Sequence, residues 1–185
     1  MKNFRSAFCM VLCCVILLGM TVVTAYAANF TDTDKIVNTE AVETLVKLNV
    51  MNGKDDGTFD PTGLVTRAEM CKMISRIMNS GDDFQEGVMG KNFSYSYTDI
   101  IGHWAKDYIA HCDELGIVSG PGDGTFSPDG NVAGVEAAKM LLVAIGYDAT
   151  IEGFTGSTWA DAVTDYANQK NLFYGLNSFD ASTAL

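Results

Sequence analysis

Arg67 stands in the segment Thr66-Arg67-Ala68-Glu69, at the head of an apolar-periodic run. A guanidinium in the first turn of a helix lies beside amide N–H groups with no intrahelical partner, a combination that suits a small anion or a carboxylate. The same four residues spell a capping box, in which the Thr66 hydroxyl accepts the Glu69 amide and the Glu69 carboxylate reaches back to the Thr66 amide. Trp104 and Trp159 head two further helical runs. An indole there either anchors the helix to the core, the stronger reading, or stacks on the apolar face of a sugar ring. These residues recognise; none of them breaks a bond.

Other chemistries fail on spacing. The Asp-rich turns invite a calcium loop, but aligning Gly57 with the invariant loop glycine puts Lys54 where a ligand belongs and Gly63 where the bidentate Glu should be. His103 and His111 are the only histidines, about 12 Å apart along a helix axis, too far to share a zinc ion. No Gly-x-Ser-x-Gly elbow occurs, and no acidic pair stands out in a distinctive context. The expectation is therefore no catalytic residue, no metal and no cofactor, with a secreted hydrolase kept only as a remote alternative.

The chain has 185 residues, 48% hydrophobic and 19% charged, and a net charge of −11. That length supports one or two modest cores, and that charge repels a phosphate backbone, which argues against nucleic acid as a partner. Lys2 and Arg5 precede an apolar run from Ala7 to Met20, and Ala25-Tyr26-Ala27 has the small-x-small pattern of a cleavage site. Residues 1–27 are thus expected to be a signal peptide, leaving a secreted chain with no membrane span; a retained anchor is the alternative. Cys9, Cys13 and Cys14 leave with that leader. Cys71 and Cys112 fall at apolar phases of helical patterns, which favours buried free thiols over a disulfide.

The elements that carry these residues repeat. Val50 to Pro61 matches Ile117 to Pro128 at an offset of 67, and the same offset pairs Asp32 with Asp99, Glu69 with Glu136 and Lys72 with Lys139. A third unit begins near Phe154, where Trp159-Ala160 echoes Trp104-Ala105 at an offset of 55. In the first helix of each complete unit the apolar residues form one stripe: Val37, Ala41, Leu45 and Leu48, then Trp104, Tyr108, Cys112 and Leu115. The second helices are expected to bury Met70, Met73, Ile74, Ile77 and Met78, and Met140, Leu141, Ala144 and Ile145. Phe59 and Phe126, after Asp-Gly-Thr turns, are expected to dock between a unit's two helices. A lone helix pair cannot cover both its faces, so neighbouring units should share a core in an all-α fold.

This pattern resembles the S-layer homology domain, a module usually present in three tandem copies. The resemblance is carried by Phe30-Thr31-Asp32, Gly53 through Pro61 and Thr66 through Glu69, then by Tyr97 through Ile100, His103-Trp104-Ala105 and Leu115 through Pro128. It implies repeats at 28–79 and 97–146, a linker at 80–96 and a partial third repeat at 147–185, in an incomplete pseudo-threefold arrangement of helix-turn-helix units. It also implies attachment to the cell wall or surface layer by binding secondary cell-wall polysaccharide, often pyruvylated, with the Arg67 guanidinium on the acidic sugar. Thr66, Glu69, Asp32, Asp99 and Trp104 complete the candidate glycan-binding set, and other surface-layer proteins are further partners. The departures are Val37 in the place of Trp104, and Ala133-Gly134 in the place of Thr66-Arg67. The short third unit should leave Trp159, Val163, Tyr166 and Leu172 partly uncovered. At most one groove is well equipped, so a structural or assembly module without glycan binding is the alternative.

Overall fold

The computed structural model describes residues 30–82 and 96–174. The expected leader, residues 83–95 of the 80–96 connection and the chain from Gly175 onward lie outside the described residues. Within them the protein is all-α, with helices α1 (Thr39–Lys47), α2 (Arg67–Met78), α3 (Lys106–Glu114), α4 (Gly134–Ala144) and α5 (Trp159–Gln169). Thr66 and Asn131 form an isolated antiparallel bridge that ties the start of α2 to the loop before α4.

The joining segments explain why the two complete units look alike in space. Asp32 accepts the amides of Phe59 and Asp60, both at 2.8 Å. Sixty-seven residues on, Asp99 accepts those of Phe126 at 2.9 Å and Ser127 at 2.7 Å. Asp56 and Asp123 each accept the amide and hydroxyl of the Thr two residues later. The Asp32 and Asp99 carboxylates therefore pin each joining segment back onto the start of its own unit.

With that side of the unit occupied by its own loop, the helices find partners elsewhere. The packed pairs are α2 with α3, α2 with α4, and α4 with α5, and the first two join the first unit to the second. Shared cores, as expected, result. One joins Cys71 and Ile74 of α2 to Ile109 and Cys112 of α3 and Ala137 and Met140 of α4; the other joins Val135, Ala138 and Leu142 of α4 to Phe154, Val163 and Ala167. Phe126 is fully buried in the first core against Tyr97, with ring centroids 5.4 Å apart, whereas Phe59 is only partly buried beside Phe30.

This packing corrects several expected faces. Because α4 lies between two cores, Leu142 is buried and Ile145 is exposed. On α2, Met70 and Ile74 are buried, but Ile77 and Met78 at the far end are exposed. Val163 is completely covered by the second core, while Trp159, Tyr166 and Leu172 remain partly open. No residue of the α1 stripe is fully buried: Val37 is 86% and Leu48 57% exposed, and Leu45 is half-buried. Apolar periodicity shows which face a helix would bury, and burial then needs a neighbour at that face.

The turn carboxylates make stability acid-sensitive. Asp32 is held below the usual carboxylate range chiefly by the Phe59 amide, and Asp56 and Asp123 by the hydroxyls of Thr58 and Thr125. A group whose folded pKa is depressed contributes stability that is full above the unfolded value and is lost as pH falls through the folded one. The urea midpoint is expected to hold near pH 7 and to fall progressively below the ordinary carboxylate value of 3.8. Asp32→Asn should lower the midpoint at neutral pH and flatten its acid dependence.

Candidate functional site

Arg67 opens α2 but points across the unit boundary. Its Nε donates to the Phe126 carbonyl at 3.1 Å, Nη2 to the Ser119 carbonyl at 3.0 Å and Nη1 to Glu136 Oε1 at 2.8 Å. The guanidinium carbon lies 4.4 Å from the centroid of the Phe126 ring, and the side chain is 14% exposed. The α2 amides that suggested an anion site are also engaged: Arg67 N donates to the Gly130 carbonyl at 2.8 Å and Ala68 N to the Pro128 carbonyl at 3.0 Å. The start of α2 is thus a clasp holding the second unit's loop.

Glu136 has two tasks. Its Oε2 accepts the Ala133 amide at 2.9 Å, half of a capping box, while Oε1 receives Arg67. In the first unit Thr66 and Glu69 make the full box, as their sequence predicts, with Glu69 N to Thr66 Oγ1 at 3.2 Å and Thr66 N to Glu69 Oε2 at 2.8 Å.

Beside the clasp is an open cavity of about 570 Å³, walled by Arg67, Ser119, Gly120, Glu136, Lys139 and Trp159. The Lys139 ammonium lies 5.4 Å from the centroid of the Trp159 ring. Burial pulls its pKa below the usual lysine value; Glu136 opposes that shift and Arg67 adds to it. Among the described residues Lys139 makes no ion pair, so an acidic ligand would relieve the desolvation of its charge.

A second cavity, of about 350 Å³, repeats the pattern one unit earlier. Its walls include Gly53, Phe59, Glu69, Lys72, Met73 and Trp104. Lys72 lies 5.6 Å from Trp104 and 5.9 Å from Tyr108. In both cavities the lysine comes from the second helix of a complete unit and the tryptophan from the head of a helical run that follows it in the chain. Neither residue is near the other in sequence.

The candidate residues of the sequence therefore divide. Arg67 borders the larger cavity with its guanidinium engaged internally, and Trp104, 55% exposed, borders the smaller one. Glu69 lines the smaller cavity while capping α2 together with Thr66. Asp32 and Asp99 hold joining segments and line neither cavity. Lys72 and Lys139 were not in the expected set, although their shared 67-residue offset was the signal that could have found them.

The S-layer homology domain matches the chain twice, at residues 29–71 and 96–138. The S-layer protein sap of Bacillus anthracis is 30% identical over 125 residues, 68% of this chain and 14% of that protein. A cell surface protein of Thermoanaerobacter kivui is 29% identical over 180 residues, 96% of this chain and 22% of that protein. An uncharacterized cell wall amidase of Bacillus anthracis is 30% identical over 105 residues, 57% of this chain and 18% of that protein. The chain thus spans less than a quarter of the length of each of these relatives. Among its described residues, no helix is long and apolar enough to cross a membrane. With joining segments that repeat, pinned by Asp32 and Asp99, at the 67-residue spacing of the two matched stretches, the chain belongs to the S-layer homology domain family.

Proposed function

We propose that this chain attaches to the bacterial cell wall by binding an acidic secondary cell-wall polysaccharide in the cavity of about 570 Å³. The observation that carries the reading is Lys139, a partly buried ammonium without an ion pair among the described residues, set over the Trp159 ring in an open groove. Lys139 contacts the acidic group, such as a pyruvate ketal, and Trp159 supports the apolar face of its sugar. Arg67 and Gly120 shape the wall. The role is recognition and not catalysis, exercised outside the cell. Residues 147–174 supply Trp159 as the opening of a third unit, a reading supported by the parallel between the Lys72–Trp104 and Lys139–Trp159 pairs.

The net charge of −11 does not oppose this. At physiological salt the overall field is screened over about 8 Å, whereas the ammonium acts at contact distance. A charge-assisted contact contributes about 1.5–3 kcal/mol, so Lys139→Ala is expected to weaken binding to purified walls about tenfold or more. Lys72→Ala should do less, because Lys72 lines only the smaller cavity. Equal retention of Lys139→Ala and unaltered chain, with both folded, would remove Lys139 from the reading. No retention of either would favour a structural or assembly module, a second reading for which the internal engagement of Arg67 speaks.

A further inference from the structure

Cys71 on α2 and Cys112 on α3 are fully buried free thiols, as their apolar phases suggest. They are not merely two small residues in one core. Cys112 Sγ lies 3.7 Å from the Cys71 carbonyl oxygen and 3.5 Å from Ser75 Oγ, one turn further along α2, so the two cysteines meet across the α2–α3 contact. No group of three or more metal-ligating side chains gathers among the described residues. What adjacent thiols on two packed helices can do is close on each other.

We propose that Cys71 and Cys112 are a reversible disulfide pair that staples α2 of the first unit to α3 of the second, with a low-molecular-weight disulfide as oxidant. Cys112 is the first nucleophile. Contact with Cys71 and with the Ser75 hydroxyl, which lies 3.5 Å from Sγ and can donate to the thiolate, makes its thiol more acidic, while contact with Cys112 and burial raise Cys71. The Cys112 thiolate attacks one sulfur of the oxidant, whose S–S bond breaks and releases one thiol. Cys71 then attacks the Cys112 sulfur of the mixed disulfide, releasing the second thiol. Two protein thiols are oxidised, one disulfide is reduced, and both protons end on the released thiols. Because both sulfurs are buried, reaction passes through opening of the α2–α3 contact.

The staple would lie directly behind the smaller cavity. Lys72 follows Cys71 on α2, and Tyr108, one of the two rings beneath Lys72, stands one turn before Cys112 on α3. Closing the bond therefore fixes the spacing between the two walls that carry Lys72 and Trp104. This inference does not depend on what the cavity binds.

The test treats the full, folded chain with oxidised glutathione, blocks remaining thiols and digests with trypsin. The expected product joins peptide 68–72 to peptide 107–139, two hydrogens lighter than the separate reduced peptides. The melting temperature should rise by about 5–10 °C and return on reduction. Persistent glutathione adducts, free thiols after prolonged oxidation, links between chains, or links to peptide 6–35, which carries Cys9, Cys13 and Cys14, would each overturn the proposal.

Discussion

Replacing Arg67 with Ala is expected to lower the unfolding free energy by about 3 kcal/mol, because it strands a partly buried Glu136 and two carbonyls that lose their donors. Glu136 keeps 32% side-chain exposure, which holds the cost below that of a fully buried ion pair. Urea denaturation measures it. Arg67→Lys is the sharper variant: an ammonium keeps the charge but cannot present three donors in a planar fork or lie flat on Phe126. It should recover less than half of the lost stability. A double-mutant cycle with Glu136→Gln is expected to return a coupling of about 1–2 kcal/mol. If Lys restored stability in full, the clasp would be a simple charge pair and the geometry of the fork would not matter.

Gly120→Ala should be about as damaging, for a different reason. A Cβ built at Gly120 meets the Thr125 carbonyl oxygen at 2.1 Å and Tyr97 Cε1 at 2.8 Å. The Tyr97 ring cannot step aside freely. Its hydroxyl accepts the Gly120 amide at 3.0 Å and donates to Asp113, and burial with that hydrogen bond pushes its pKa up to about 12. Relief must come from the backbone of the joining segment, at a cost of about 3 kcal/mol. Gly116→Ala is the comparison: φ is +69° there, but nothing lies within 4 Å of the added carbon. That change should cost only about 1 kcal/mol, from backbone conformation alone. Gly120→Ala should also reduce wall binding more than Gly116→Ala, because Gly120 lines the larger cavity. Equal thermal shifts for the two variants would show that the joining segment yields without strain.

Both predictions concern residues whose roles were only half legible in the sequence. Thr66 and Glu69 announce a helix start, and they make the full capping box there, because capping is settled within four residues. The 67-residue offset shows that two units share a turn, and the Asp32 and Asp99 carboxylates hold those turns identically. Arg67 is different. Its place in the helix was readable, yet its partners are 52 to 69 residues away, and nothing local indicates that a loop carbonyl will reach the guanidinium before a ligand does.

Periodicity and repetition were enough to establish an all-α chain of recurring units, their turns and their caps, because those features depend on interactions spanning a few residues. Which helix lies against which was decided by the tertiary structure. Joining segments folded onto their own units leave each second helix to pack beyond its unit, so its lysine meets a tryptophan from later in the chain in a cavity that no single unit encodes alone. The same packing leaves the α1 stripe exposed and brings Cys71 to Cys112, since an apolar face records a capacity for burial while the neighbour that covers it is fixed by the whole chain.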